Sequence, residues 1–298
     1  MVDPRTRPAA RDTPPVPDGT LVARLRALVP DLSPTGRRIG TFVLDHPHDL
    51  IHLTVTDTAE RTATSVGSVV RFCQDLGLRG FQDLKIRLAA ETATGSTALQ
   101  PEDVRADDPP PAVLDKILRA GTAAMTDAAA TVSAPAFTRA VDLLGAAARI
   151  LVVGVGTSAP VAADAAYRLR TTGLLAEAPG DVHVQHVSAR LLTGADACLA
   201  VSHTGQTRET LATVTAARTA GATTVAVTSF SRSPLTRIAD AVLVAGSRET
   251  AFRVEAMSSR LAHIAVLDAL CVSIALAHPG RARTAQVLSA DVITEHRV

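Results

Sequence analysis

The chain has 298 residues, enough for about two domains. Hydrophobic residues make up 47% and charged residues 20%, which excludes a disordered chain. A formal net charge of +1 excludes a protein that coats nucleic acid by charge alone, and the absence of Trp with a single Tyr argues against a binder that stacks single-stranded bases.

In chain order, residues 1–18 hold Pro4, Pro8, Pro14, Pro15 and Pro17 among scattered charges. They lack the apolar stretch of a signal peptide and are expected to form a disordered tail. Residues 19–91 read as all helix. Leu21, Leu25 and Leu28 recur at helical spacing, and Ser33-Pro34 offers an N-cap followed by proline at the first helical position. Ile39, Phe42, Val43 and Leu44 form an apolar face that is expected to stop before Pro47. A third helix is expected from a cap at Thr56 or Asp57. After the break Arg61–Thr64, Ser65 caps a fourth carrying Val69, Val70, Phe72, Cys73 and Leu76, closed by Gly77. Gly80-Phe81 leads into a fifth.

Two short helices around a tight break fit a helix-turn-helix, whose second helix enters the major groove with its first residues at base edges. Those residues are Thr64, Ser65, Val66, Gly67 and Ser68, with Arg71 one turn on, able to fork onto guanine or pair with phosphate. By spacing alone, a three-helix packing unit with no DNA role stays open. The whole stretch is more specific. The run Val69-Val70-Arg71-Phe72-Cys73 and the run Leu76-Gly77-Leu78-Arg79-Gly80-Phe81-Gln82-Asp83-Leu84-Lys85 resemble the DNA-binding domain of RpiR-family bacterial transcription regulators. Gly67 departs from that pattern, where a helix former such as alanine is expected, at a cost of about 1 kcal/mol. Arg24, Arg26, Arg37 and Arg38 outweigh Asp31, whereas the basic and acidic residues from Asp57 to Glu91 balance. DNA affinity is therefore expected from the dimeric placement of a few arginines.

Residues 92–111, with Gly95, Pro101, Asp107-Asp108 and Pro109-Pro110-Pro111, read as a linker, and residues 112–298 as a second domain. Here strands and helices alternate. Helices are expected at 115–131 and 136–148, then a buried strand 149–155, a turn 154–158 and a helix 159–173. The stretch 183–187 alternates and reads as extended. Strands 197–202, 223–228 and 240–244 follow, with helices 207–220, 233–238 and 257–277. This period implies a parallel sheet with helices on both faces.

Two strand-to-helix turns carry the chemistry. Gly154-Val155-Gly156-Thr157-Ser158 lets the backbone approach an anion at a helix N-terminus, with the Ser158 hydroxyl adding a donor. Alone it is half a dinucleotide fingerprint, and no strand ending in Asp or Glu follows at the right distance; a purely structural turn stays open. The second, Ser202-His203-Thr204-Gly205-Gln206-Thr207, sets three hydroxyls around a glycine at another helix N-terminus. Two such turns at neighbouring strand ends can converge on one phosphate. The pair resembles the sugar isomerase (SIS) domain, a phosphosugar-binding fold, over about residues 115–277. That resemblance implies Ser158, Ser202, Thr204 and Thr207 as phosphate ligands, with Gly156, Thr157, His203, Gly205 and Gln206 lining the pocket. Thr204 stands where the family usually has Ser, and His203 where Ser or Tyr is frequent. His203 reads as a sugar contact, as a group that makes the phosphate grip pH-sensitive, or as an exposed turn residue.

Other candidates are weaker. His183 and His186 on a strand would face opposite sides, against a metal site. His46, His48 and His52 read as a solvated loop. Glu209 and Glu255 are the carboxylates best placed to act as a base, but Glu209 more simply answers Arg208 or the helix dipole. Glu255, beside Arg253, fits a capping or subunit-interface role. Cys73, Cys198 and Cys271 are dispersed, which points to a reducing cytoplasm rather than a disulfide or zinc scaffold. The expectation is an all-α helix-turn-helix domain followed by an α/β SIS domain, a three-layer sandwich of flavodoxin/Rossmann-like type. Its function would be DNA-binding transcriptional regulation of carbohydrate metabolism by a sugar-phosphate effector. No catalytic residues, cofactor or metal are expected, and the partners would be double-stranded operator DNA and further copies of the chain, as a homodimer or higher homo-oligomer, away from any membrane. The alternative is a phosphosugar isomerase or lyase with a helical extension.

Overall fold

The computed structural model describes residues 21–29, 32–93, 104–246 and 257–297. The expected tail at 1–18, most of the expected linker, and Arg253 and Glu255 lie outside the described residues. Six helices come first: α1 (Leu21–Leu28), α2 (Pro34–Asp45), α3 (Pro47–His52), α4 (Val55–Arg61), α5 (Val66–Asp75) and α6 (Phe81–Ala93). The starts of α2, α4 and α5 are set by hydroxyl caps. Ser33 Oγ accepts the Gly36 N–H at 3.1 Å, and Ser65 Oγ accepts the Ser68 N–H at 3.1 Å. Such a cap contributes about 1 kcal/mol. For α4 the cap is Thr54, not Thr56 or Asp57: Thr54 Oγ1 accepts from Asp57 N, and Asp57 Oδ2 accepts from Thr54 N at 2.8 Å. This reciprocal box wins because it satisfies two backbone donors at once. Helix α2 stops before Pro47 as expected, but His46, His48 and His52 do not lie in a loop: Pro47 opens α3, where its missing N–H costs nothing, with His46 at its N-cap and His48 and His52 within it. Leu25, Ile39, Val43, Leu50, Val69, Phe72, Cys73, Leu84 and Leu88 close the core of this helical region. Burial pushes the Cys73 thiol up to about 12, so this side chain is packing, as its place on the inner face suggested.

The second region starts with α7 (Pro110–Thr131) and α8 (Ala134–Ala146), Pro110 and Pro111 forming the first turn of α7 rather than linker. Then come β1 (Arg149–Val153), α9 (Ala159–Thr171), β2 (Leu175–Glu177), α10 (Val182–Arg190), β3 (Ala197–Val201), α11 (Arg208–Thr219), β4 (Thr223–Thr228), α12 (Pro234–Ile238), β5 (Ala241–Val244), α13 (Met257–Ala277) and α14 (Pro279–Glu295). The five strands are parallel in the order β2-β1-β3-β4-β5. Strand alternation builds the three layers. Ile150, Val152, Leu199, Val201, Val225 and Val227 face α7, α8, α9 and α13; Leu151, Val153, Cys198, Ala200 and Ala226 face α10, α11 and α12.

Three elements depart from the sequence reading. The alternating stretch at 183–187 is helix α10, because Asp181 caps it by accepting from His183 N at 2.9 Å and Val184 N at 3.0 Å. The edge strand is instead β2, three residues long, and α14 adds a helix against α9 and α13. Helix α13 is long and apolar enough to span a membrane by length and composition, yet Ala262, Leu267, Leu270 and Ile274 are buried in the core.

Helix α1 touches both regions. It packs on α2, α6 and α7, and Arg26 Nη1 pairs with Asp127 Oδ2 of α7 at 2.6 Å.

Candidate functional site

Strands β1 and β3 are neighbours, with Val153 in register with Ala200, so both turns leave the sheet side by side at its carboxyl edge. In an open parallel sheet this edge is where ligands bind. After β1, Gly156 takes φ 61°, a left-handed geometry glycine adopts without steric cost, and a single 3-10 turn delivers Ser158 to the start of α9. Ser158 is buried, and its hydroxyl makes no cap hydrogen bond. Gly156 is exposed and Thr157 half-buried. The turn is held from behind by Gln185 of α10, whose Nε2 donates to Gly154 O at 3.1 Å and Pro179 O at 2.7 Å. Sequence reading missed Gln185 because it placed that stretch on a strand.

The second turn is tighter. Gly205 is buried at φ 62°, and a Cβ there would collide with the Ser233 side chain. Ser202 Oγ accepts the Gly205 N–H at 3.1 Å, and Thr204 Oγ1 accepts the Gln206 N–H at 3.2 Å. Each hydroxyl thus shapes the turn by accepting and keeps its own proton to donate. Thr207 sits at the N-cap of α11, again without a side-chain cap bond, a feature that Ser133 before α8 shares. Gln206 and Thr204 are exposed. His203 is half-buried rather than an exposed turn residue: its Nδ1 lies 2.6 Å from Ser229 Oγ, which in turn lies 3.1 Å from Nε2 of the buried His263.

Beside the second turn, His183, His186 and Arg190 of α10 and Arg208 and Glu209 of α11 line a cavity of about 540 Å³. The two histidines share a face because three residues is nearly one helical turn, where a strand would have separated them. Among the described residues no group of three or more His, Cys, Asp or Glu could hold a metal. Glu209 is exposed in the first turn of α11, where it answers the helix dipole.

On the helical region, the turn between α4 and α5 passes through Ala63 at φ 49°. Ser65, Val66, Gly67 and Arg71 are exposed, Thr64 and Ser68 half-buried, while Val69, Phe72 and Cys73 turn inward. The six residues expected at DNA therefore share the outer start of α5. Of the arginines counted as a local positive excess, two are spent inside: Arg24 Nη2 donates to Leu76 O at 2.9 Å, and Arg26 pairs with Asp127. Arg37 and Arg38 of α2 instead line a cavity of about 440 Å³ with Arg61 of α4 and His46. Arg38 Nη2 also donates to Ala63 O at 3.2 Å, tying this basic patch to the turn.

Residues 20–95 match the helix-turn-helix domain of the rpiR family, and residues 143–273 match the SIS domain. An uncharacterised HTH-type transcriptional regulator of Caldanaerobacter subterraneus is 33% identical over 86% of this chain and 90% of its own. Among solved structures, the Vibrio vulnificus NanR protein complexed with ManNAc-6P aligns with a TM-score of 0.59 at 27% identity, covering 93% of this chain and 99% of that one. The sugar isomerase domain of an RpiR transcription factor from Sphaerobacter thermophilus aligns with a TM-score of 0.55 at 27% identity, over 60% of this chain and 98% of that one.

Proposed function

The chain belongs to the rpiR family of helix-turn-helix transcriptional regulators with a SIS domain, and on that premise we propose how its parts act. It is a DNA-binding regulator whose SIS domain takes a phosphorylated sugar as effector. The observation that carries the reading is the pair of turns at adjacent strand ends, where Ser158 and Thr207 begin helices without capping them. Hydroxyls left over at two helix N-termini, beside backbone amides and the positive ends of two dipoles, suit a phosphate dianion. The ManNAc-6P held by the Vibrio vulnificus protein supports the same class of ligand.

Ser158, Ser202, Thr204 and Thr207 hold the phosphate, and Gly156, Thr157, His203, Gly205 and Gln206 line the pocket around it. Thr64, Ser65, Val66, Gly67 and Ser68 meet base edges, and Arg71 reaches guanine or phosphate. Arg37, Arg38 and Arg61 flank that helix and meet backbone phosphates, which position the protein without reading sequence. The reader runs from 19 to the end of α6 at Ala93 and the sensor from the start of α7 at Pro110 to 298, with the linker between them, and the protein works in the cytoplasm as a homodimer. Exposed Leu114 and Leu118 on α7 and Val272 and Leu276 on α13 give apolar surface for pairing. Two recognition helices must fall about 34 Å or a multiple apart on one DNA face, so a small shift between subunits changes affinity.

The test is calorimetry with hexose 6-phosphates and N-acetylhexosamine 6-phosphates, alongside anisotropy on duplexes from upstream of the protein's own gene. Ser202→Ala is expected to remove the sugar-phosphate response and leave DNA binding intact. An equal response in variant and wild type contradicts the assignment.

A further inference from the structure

The loop behind the second turn joins it to the DNA-reading helix within a single chain. On one side, residues 229–235 are fastened to the turn: Ser229 N donates to His203 O at 3.0 Å, Ser229 Oγ meets His203 Nδ1, and Leu235 N donates to Gly205 O at 3.1 Å. On the other side the same loop reaches α1. Ser231 Oγ donates to Ala27 O at 3.2 Å and Ser231 N donates to it at 3.4 Å. Ala27 lies in the last turn of α1, where carbonyls have no partner within the helix, so Ser231 satisfies an orphan acceptor. One turn earlier on α1, Arg24 Nη2 donates to the carbonyl of Leu76, the C-cap of α5. The N-terminal end of α1 is tied down as well: Val22 N donates to Glu91 Oε2 of α6 at 3.2 Å. From the phosphate turn to the end of the recognition helix, the path therefore runs through hydrogen bonds and one turn of helix.

This seam is also incompletely satisfied. Arg24 Nε and Arg26 Nε are both buried without a hydrogen-bond partner, although each arginine makes another bond through its guanidinium. Buried donors left unpaired raise the free energy of the arrangement they sit in, which lets a second arrangement of α1 compete with it. A contact that is both continuous and easily traded is what coupling between two sites requires.

The geometry points to Ser231 as the joint that carries occupation of the effector pocket to the recognition helix of the same chain, through α1 and Arg24. The inference rests on the effector and DNA roles proposed above, but one arm of its test does not. Ligand that draws in residues 202–207 shifts Ser229 and Leu235 with them, strains the Ser231–Ala27 bond, and moves α1 against Leu76. This operates inside each subunit and adds to any change between subunits.

The experiment uses the full-length chain as wild type, Ser231→Ala, Ser231→Thr and Arg24→Gln. Hydrogen exchange without ligand is read first, over peptides covering 24–28 and 74–78, with α11 as the control. Ser231→Ala is expected to speed exchange several-fold at both sites and leave α11 unchanged, with Ser231→Thr restoring protection. Unchanged exchange at 74–78 overturns the path whatever the effector proves to be. The second arm measures DNA affinity with and without hexose 6-phosphates and N-acetylhexosamine 6-phosphates. Ser231→Ala keeps both separate affinities within about threefold and brings the ratio of DNA affinities toward one, from the roughly 5–150-fold range of such couplings. Adding Arg24→Gln to Ser231→Ala costs no further coupling, because the two act in series. A wild-type ratio in Ser231→Ala overturns the joint, whereas the absence of any ratio in the wild type counts against the effector reading instead.

Discussion

Helices α5 and α11 both begin at a hydroxyl residue, and the two hydroxyls have opposite fates. Ser65 Oγ accepts the Ser68 N–H and also lies 2.9 Å from Ser68 Oγ, so it belongs to its own helix. Thr207 makes no cap bond, and the first amides of α11 face the turn that Ser202 and Gly205 fold. The Ser65 hydroxyl is therefore used by its own helix, whereas the Thr207 hydroxyl makes no cap bond, which suits the ligand role proposed for it.

The largest expected effect comes from closing the second turn itself. Gly205→Ala must hold a Cβ at positive φ and against Ser233, a strain of about 1–3 kcal/mol before the clash is added. Chemical denaturation should show a drop of that size or more, with sugar-phosphate binding lost in calorimetry. Next is Thr207→Ala: losing one charge-assisted hydrogen bond, about 1.5–3 kcal/mol, should weaken sugar-phosphate binding by roughly 10–100-fold. Since Thr207 caps nothing, the unfolding free energy of the variant should stay within about 0.5 kcal/mol of wild type. Ser65→Ala should do the reverse, costing about 1 kcal/mol of stability and some DNA affinity while sugar-phosphate binding is unchanged. A stability loss in Thr207→Ala equal to that in Ser65→Ala would erase the distinction. The smallest effect is at Gly67, exposed on α5 with its nearest Cβ neighbour, Ser65 Oγ, at 3.9 Å. Gly67→Ala should raise stability by about 0.5–1 kcal/mol in the same denaturation series, because nothing opposes the better helix former.

The sequence carried the strands β1, β3, β4 and β5, both turns and the outer start of α5, since these rest on short apolar runs, glycine at strand ends and a hydroxyl cap. It misread the places where a local signal has two meanings. Residues 183–187 alternate as a strand would, but the cap at Asp181, two residues before His183, decides for helix. Proline at 47, 110 and 111 reads as a stop or a linker, yet it also suits the first helical turn, which is where all three fall. Strand β2 is three residues at a sheet edge, too short for periodicity to register. Gln185, which holds the first turn through Gly154 O, depends on that helix–strand decision and could not be found before it. The charge count treated Arg24 and Arg26 as surface, whereas tertiary packing uses them to fasten α1 to Leu76 and Asp127.

The measurement that bears most directly on the account is the DNA affinity of the full-length protein at fixed salt, by fluorescence anisotropy on duplexes from upstream of its own gene. It is repeated with each hexose 6-phosphate and N-acetylhexosamine 6-phosphate, and turnover of the sugar is monitored in the same samples. The account predicts tight DNA binding whose constant shifts severalfold with at least one unconsumed sugar phosphate, and no shift in Ser202→Ala. DNA binding indifferent to every sugar phosphate, or steady conversion of one of them, would contradict it.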